Sequence, residues 1–127
     1  MLDRAHAEAI IPVSDRKRST EYYVATLGLS LLEDTALDVR LEAGNGTTVA
    51  LYESVGAGKS RHTLAVFYVD DVDAAVQQLR DNGVVFEDYD LPDLRTVNAV
   101  ARVGDERAAW FKDPDGNILA VATRDGG

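Results

Sequence analysis

Two stretches of this chain repeat each other at a fixed distance, and that repeat limits the possible folds more than any other feature. Ile11-Pro12-Val13-Ser14-Asp15, then Ser19 to Leu27, then Gly28, reads as an apolar strand, an acidic helix cap, an amphipathic helix and a glycine stop. Phe67-Tyr68-Val69-Asp70-Asp71, then Val72 to Asn82, then Gly83, reads the same way. Val13 and Val69, Asp15 and Asp71, and Tyr23 and Leu79 are each 56 residues apart, as are His6 and His62. After each glycine comes a strand ending in an acidic pair, Glu33-Asp34 and Glu87-Asp88. The 127 residues fit one domain, with repeat one over about 5–53 and repeat two over about 61–123.

The rest of each repeat reads as strands. In the first copy these are 29–34, 37–43 and 47–53, with Gly44-Asn45-Gly46 as a tight turn that tolerates positive φ. In the second they are 84–88, 97–103, 107–112 and 117–123. Gly104-Asp105 and Asp113-Pro114-Asp115-Gly116 are turns, 89–96 an irregular loop, and 54–60 the link between copies. On the second helix Val72, Val76 and Leu79 form the apolar stripe, and on the first Tyr23 and Leu27 share a face. Thr63-Leu64-Ala65-Val66-Phe67 is apolar on both sides, so both sides must be covered. Helices cover one. The other becomes a concavity closed by the second copy or by a partner. The expected fold is α+β, two βαβββ repeats forming a curved mixed sheet around a cavity.

Charge and composition remove several function classes. With 22 acidic residues against 13 basic ones, the net charge is −9, which opposes nucleic acid binding and suits a solvated surface or a cationic ligand. No apolar run approaches the roughly 20 residues of a membrane helix. Met1-Leu2-Asp3-Arg4-Ala5-His6 lacks the basic start and long apolar stretch of a signal peptide, so a cytoplasmic location is expected. There is no cysteine, hence no disulfide, thiolate metal site or Cys nucleophile. Gly56-Ala57-Gly58-Lys59-Ser60 ends like a phosphate-binding loop, but position 53 is Glu and a strand follows, so it reads as a linker. The acidic run 87–93 lacks calcium-loop spacing and reads as a solvated loop.

A few side chains could carry chemistry. His6 and Glu8 are two apart on the expected first strand and face the same way. His62, Leu64, Val66 and Tyr68 share a face of the strand that opens the second copy. One reading makes His6, His62 and Glu8 proton-handling groups at a cavity mouth. The other leaves both histidines in solvent at strand starts. A carboxylate among apolar strands needs a reason, which singles out Glu8. Tyr52, Tyr68, Tyr89, Trp110 and Phe111 are candidates to line an apolar pocket, with Tyr52 and Trp110 preferred for their polar handles.

These segments, together with Ala109-Trp110-Phe111-Lys112-Asp113-Pro114-Asp115-Gly116-Asn117 before the last strand, resemble the vicinal oxygen chelate superfamily. That superfamily holds glyoxalase I, bleomycin-resistance proteins and extradiol dioxygenases. The likeness spans nearly the whole chain and is to the compact, usually dimeric members. It implies four metal-ligand positions, which fall on Glu8, Ala50, Leu64 and Ala120. Only Glu8 can ligate a metal, and shifting the count by one or two residues never yields three good ligands. The resemblance therefore implies a homodimeric binding protein without metal or other cofactor. It would sequester an antibiotic or metabolite, aromatic or cationic, against Glu8, Tyr52, Leu64, Tyr68, Trp110 and Ala120. The alternative is a glyoxalase- or dioxygenase-like enzyme, with unusual metal ligands or with acid–base catalysis through Glu8 and His6 or His62.

Overall fold

A computed structural model gives the fold, which is described for residues 1–123. The first copy runs β1 (Ala9–Val13), α1 (Arg16–Glu21), a wide π-type turn over Tyr22–Thr26, β2 (Ser30–Asp34), β3 (Val39–Glu42) and β4 (Thr48–Glu53). The second runs β5 (Thr63–Tyr68), α2 (Val72–Asp81), β6 (Asp90–Leu91), β7 (Leu94–Val97), β8 (Val100–Val103), β9 (Glu106–Lys112) and β10 (Ile118–Ala122). The strands form two sheets, ordered β1-β4-β3-β2 and β5-β10-β9-β8-β7-β6. In each copy the first strand pairs parallel with the last, Ile11 opposite Leu51 and Phe67 opposite Val121. The other pairings are antiparallel. The expected α+β double βαβββ pattern is present, divided into two sheets whose first strands, β1 and β5, are both edges.

The helix signals work as their chemistry predicts. Asp15 accepts the backbone N–H of Arg18 at 3.0 Å, and Asp71 that of Ala74 at 3.0 Å. Gly28 and Gly83 stop the helices at φ 84° and 96°. The caps are 56 residues apart but the stop glycines only 55, so the first helix holds one residue more. The π-type turn absorbs it, with the Leu27 N–H reaching the Tyr22 carbonyl at 3.1 Å. Asp71→Ala is expected to cost about 1 kcal/mol in urea unfolding. An unchanged midpoint would show the cap to be redundant.

Two strand assignments need correction. Within 84–88 only Phe86 bridges to β9, opposite Phe111. Val84 and Phe86 do fill the core, but the Asp88 carboxylate accepts from Thr96 Oγ1 and from the Ala99 N–H, at 3.1 and 3.0 Å. That turns the chain into the β6–β7 hairpin, where an irregular loop was expected. The strand expected over 97–103 is broken by Asn98 and Ala99 at φ 53° and 70°, a two-residue turn between β7 and β8. The first helix also starts earlier than expected, at Arg16.

Alternation along the strands splits their two faces. Ile11, Val13, Leu41 and Leu51 of the first sheet, and Phe111 and Leu119 of the second, are buried in one shared core under the helices. The Asp113–Asn117 turn ties the copies together. Buried Asp113 accepts from Tyr23 Oη and Asn117 Nδ2, each at 2.8 Å, and from the N–H groups of Asp115 and Asn117, each at 2.9 Å. Asn117 Nδ2 also donates to the Pro12 carbonyl at 2.7 Å, and its Oδ1 accepts the Gly58 N–H at 2.9 Å. Asp115 accepts from the Ser14 hydroxyl and, at 3.0 Å, from Arg18 Nη2. The first strand, first helix, linker and last hairpin thus meet at one turn.

Candidate functional site

The faces turned away from the helices carry the site candidates. On the first sheet the register sets Ile10, Ala50, Arg40 and Glu33 in one row, with Pro12 and Tyr52 in the next. Glu8 lies one residue before β1. Arg40 Nε donates to Glu8 Oε2 at 3.0 Å and its Nη1 to Glu33 Oε2 at 3.4 Å. A hydrogen bond from Thr48 is the largest influence on the Glu8 carboxyl; burial opposes it, and the bond and charge of Arg40 tip the balance, so the group sits below its ordinary 4.5. A depressed carboxyl adds stability above its unfolded value and loses it as pH falls through the folded one. Glu8→Gln should therefore lower Tm near neutrality, and the gap to the parent should close as pH falls through the lowered folded-state value. A gap that persists in acid would mean that packing, not charge, is what Glu8 contributes.

The second sheet bears a hollow of about 280 Å³. Ala101, Ala108, Ala120 and Ala122 form its floor, because small side chains leave the space empty. Val66, Tyr68 and Trp110 wall it, and Glu106, Arg107 and Thr123 supply polar groups. Tyr89 braces Trp110 edge-on, with ring centres 5.7 Å apart and planes at 80°. Burial, and then the charge of Glu87, push the Tyr89 hydroxyl above its usual value, so it stays neutral. A larger cleft of about 920 Å³ follows the free edge of β5, where Leu64, Phe67 and Val69 face Leu27, Leu29 and Asn45 of the first copy. The alanines and the indole of Trp110 give the hollow an apolar surface, with its polar groups at Tyr68, Glu106, Arg107 and Thr123.

The expected site residues therefore fall in three places. Tyr68, Trp110 and Ala120 meet in the alanine-floored hollow. Leu64 lines the neighbouring cleft, which Tyr68 also borders. Half-exposed Tyr52 stands on the other sheet, with Glu8 just before its first strand. His6 and Glu8 are not on a strand, since β1 begins at Ala9, after a short turn over Leu2–Arg4. Both histidines are exposed, and His62 Nδ1 lies 3.1 Å from Ser60 Oγ. Phe111 belongs to the core, edge-on to Phe86, and not to a pocket. Sequence reasoning passed over Arg40. The alternation of Val39 and Leu41, both buried, was the available signal, since it turns Arg40 to the face Glu8 approaches.

The four positions where the resemblance puts metal ligands carry Glu8, Ala50, Leu64 and Ala120, and Glu8 is already engaged by Arg40. Among the described residues no group of three or more His, Cys, Asp or Glu is placed to hold a metal ion. The residues present do not fit a catalytic metal. Treatment with a chelator should leave Tm unchanged, and a clear drop would contradict this.

A family model described as the Glyoxalase/Bleomycin resistance protein/Dioxygenase superfamily matches residues 4–121. Among solved structures, TnmS3, an antibiotic binding protein from Streptomyces sp. CB03234, is 25% identical with a TM-score of 0.71, covering 98% of this chain and 99% of its own. A glyoxalase/bleomycin resistance protein from the same strain is 27% identical with a TM-score of 0.70, covering 92% and 98%. A superfamily member from Sphaerobacter thermophilus is 26% identical with a TM-score of 0.70, covering 98% and 100%. No curated protein matches the chain.

Proposed function

The chain belongs to the Glyoxalase/Bleomycin resistance protein/Dioxygenase superfamily, and on that premise we propose that it is a metal-free, homodimeric cytoplasmic protein that sequesters a small aromatic antibiotic or metabolite. The observation that carries this reading is the hollow between Trp110 and Tyr68 over an alanine floor, built for a flat ring. The antibiotic-binding relative supports the same reading. The whole chain is proposed to act as one domain. The dimer is supported by the open faces, where Ile10, Tyr52, Val66 and Tyr68 are 40–54% exposed. A second copy laid over them would enclose the site. The charge state of Glu8 also favours binding over acid–base catalysis, because a carboxylate paired with a guanidinium is a weak base.

Trp110 is the single tryptophan, so its emission reports on the hollow directly. A neutral flat probe, 2-ethylnaphthalene, should bind saturably, shift that emission and be recovered chemically unchanged. Trp110→Ala should weaken binding about ten-fold, the loss of one stacked aromatic contact. Conversion of the probe to product would overturn sequestration, and absence of binding would overturn the site. Sedimentation should show a dimer that Val66→Asp dissociates.

A further inference from the structure

Arg40 is the one basic side chain that the register sets in the row with Ile10 and Ala50 on the first sheet's open face. Ala50 points to this face yet is fully buried, so its neighbours cover it. Glu8 takes the Nε–H of the guanidinium and Glu33 an Nη1–H. A guanidinium has five such donors. Among the described residues Nη2 has no hydrogen-bond partner, and the side chain is 36% exposed. Two carboxylates thus fix the plane of the guanidinium and leave its Nη2 edge open on this face. Donors held this way select for an acceptor atom at a set place.

The charges narrow the class of acceptor. Glu8 and Glu33 together outweigh Arg40 by one negative charge. An anionic ligand would gain the guanidinium but meet two carboxylates, and the chain's net charge of −9 adds to the repulsion. A cationic ligand would find both carboxylates already taken and a donor edge facing it. A neutral carbonyl meets neither obstacle.

We propose that Arg40 is a specificity-determining residue, donating from Nη2 to the carbonyl oxygen of a neutral, flat aromatic ligand. Glu8 and Glu33 are positioning residues that orient it. The inference deepens the binding reading above and rests on it, including its dimer: Arg40 stands on the first sheet, apart from the hollow, and reaches the ligand only where a second copy brings the two open faces together. Arg40 also explains how Glu8 persists where the superfamily resemblance would place a metal. The guanidinium supplies the positive charge there, and it presents a donor where a metal would accept a lone pair.

Calorimetry with isosteric naphthalenes tests this: 2-acetylnaphthalene, 2-ethylnaphthalene, 2-naphthoate and 2-naphthylmethylammonium, each titrated into the full-length protein. The ketone should bind about ten-fold tighter than the ethyl compound, as one well-placed hydrogen bond allows, with both ions weakest. Arg40→Met should bring the ketone down to the ethyl compound and leave the ethyl compound unchanged. The double variant R40M/E8Q, in which no carboxylate is stranded by loss of Arg40 from Nε, should do the same. If the ethyl compound binds but the ketone has no advantage, or keeps it in both variants, the role of Arg40 is wrong while the binding reading stands. Tightest binding by either ion also overturns it. If none of the four binds, the binding reading falls and this inference with it.

Discussion

Asp113→Ala is expected to destabilise the protein by about 3 kcal/mol or more, a fall in Tm of roughly 10 °C. The carboxylate is 5% exposed and accepts four hydrogen bonds, from Tyr23, from Asn117 Nδ2 and from two backbone N–H groups. Removing it strands the Tyr23 hydroxyl and the Asn117 N–H in the buried interior and takes a partner from Asn117 Nδ2 and the part-buried Asp115 N–H, and stranded donors cost more than the bonds themselves were worth. Tyr23→Phe deletes one of the four and should cost only about 1 kcal/mol, since the ring still fills the core. Urea unfolding of both variants checks the ordering. Equal losses would mean that the ring's hydroxyl, and not the turn, carries the joint.

Gly58→Ala should be nearly as damaging, and Gly28→Ala should not. Both glycines have positive φ, 72° and 84°, so alanine at either pays about 1 kcal/mol for a left-handed backbone. Their surroundings differ. A Cβ on Gly28 meets nothing within 4 Å, whereas one on Gly58 would lie 1.9 Å from the Asp115 carbonyl oxygen. That oxygen belongs to the backbone of a hydrogen-bonded turn and cannot swing aside. The linker must move, and the Gly58 N–H then loses Asn117 Oδ1. A loss of several times the Gly28→Ala value is expected. Matching losses for the two variants would show that backbone conformation alone matters.

The architecture was legible because its signals are local. An aspartate before an apolar helix and a glycine after it mark each copy whatever lies elsewhere, and the 56-residue spacing of Asp15 and Asp71 needs no tertiary knowledge. What failed depended on distant partners. Val84-Val85-Phe86 has the alternation of a strand, yet Asp88, eight residues from Thr96 and eleven from Ala99, pulls the chain into another path. The candidate site was legible in part for the same reason. Tyr68, Trp110 and Ala120 meet because the repeat fixes which strand faces align. Arg40 was missed because a charged residue inside a strand reads as solvated until its cross-strand register is known.

The joint at Asp113–Asn117 also bears on how the molecule forms. Tyr23 meets Asp113 across 90 residues, Ser14 meets Asp115 across 101 and Pro12 meets Asn117 across 105. These contacts close the loop of almost the entire chain, and such loops form late and raise contact order. During synthesis the first copy would leave the ribosome with its helix capped but Tyr23 still lacking its acceptor. It must wait in that state until nearly all of the second copy has been made. The repeat suggests two pieces, each able to fold alone. The joint makes them kinetically one, so a chain cut at the 54–60 linker should give two fragments that fold only when mixed.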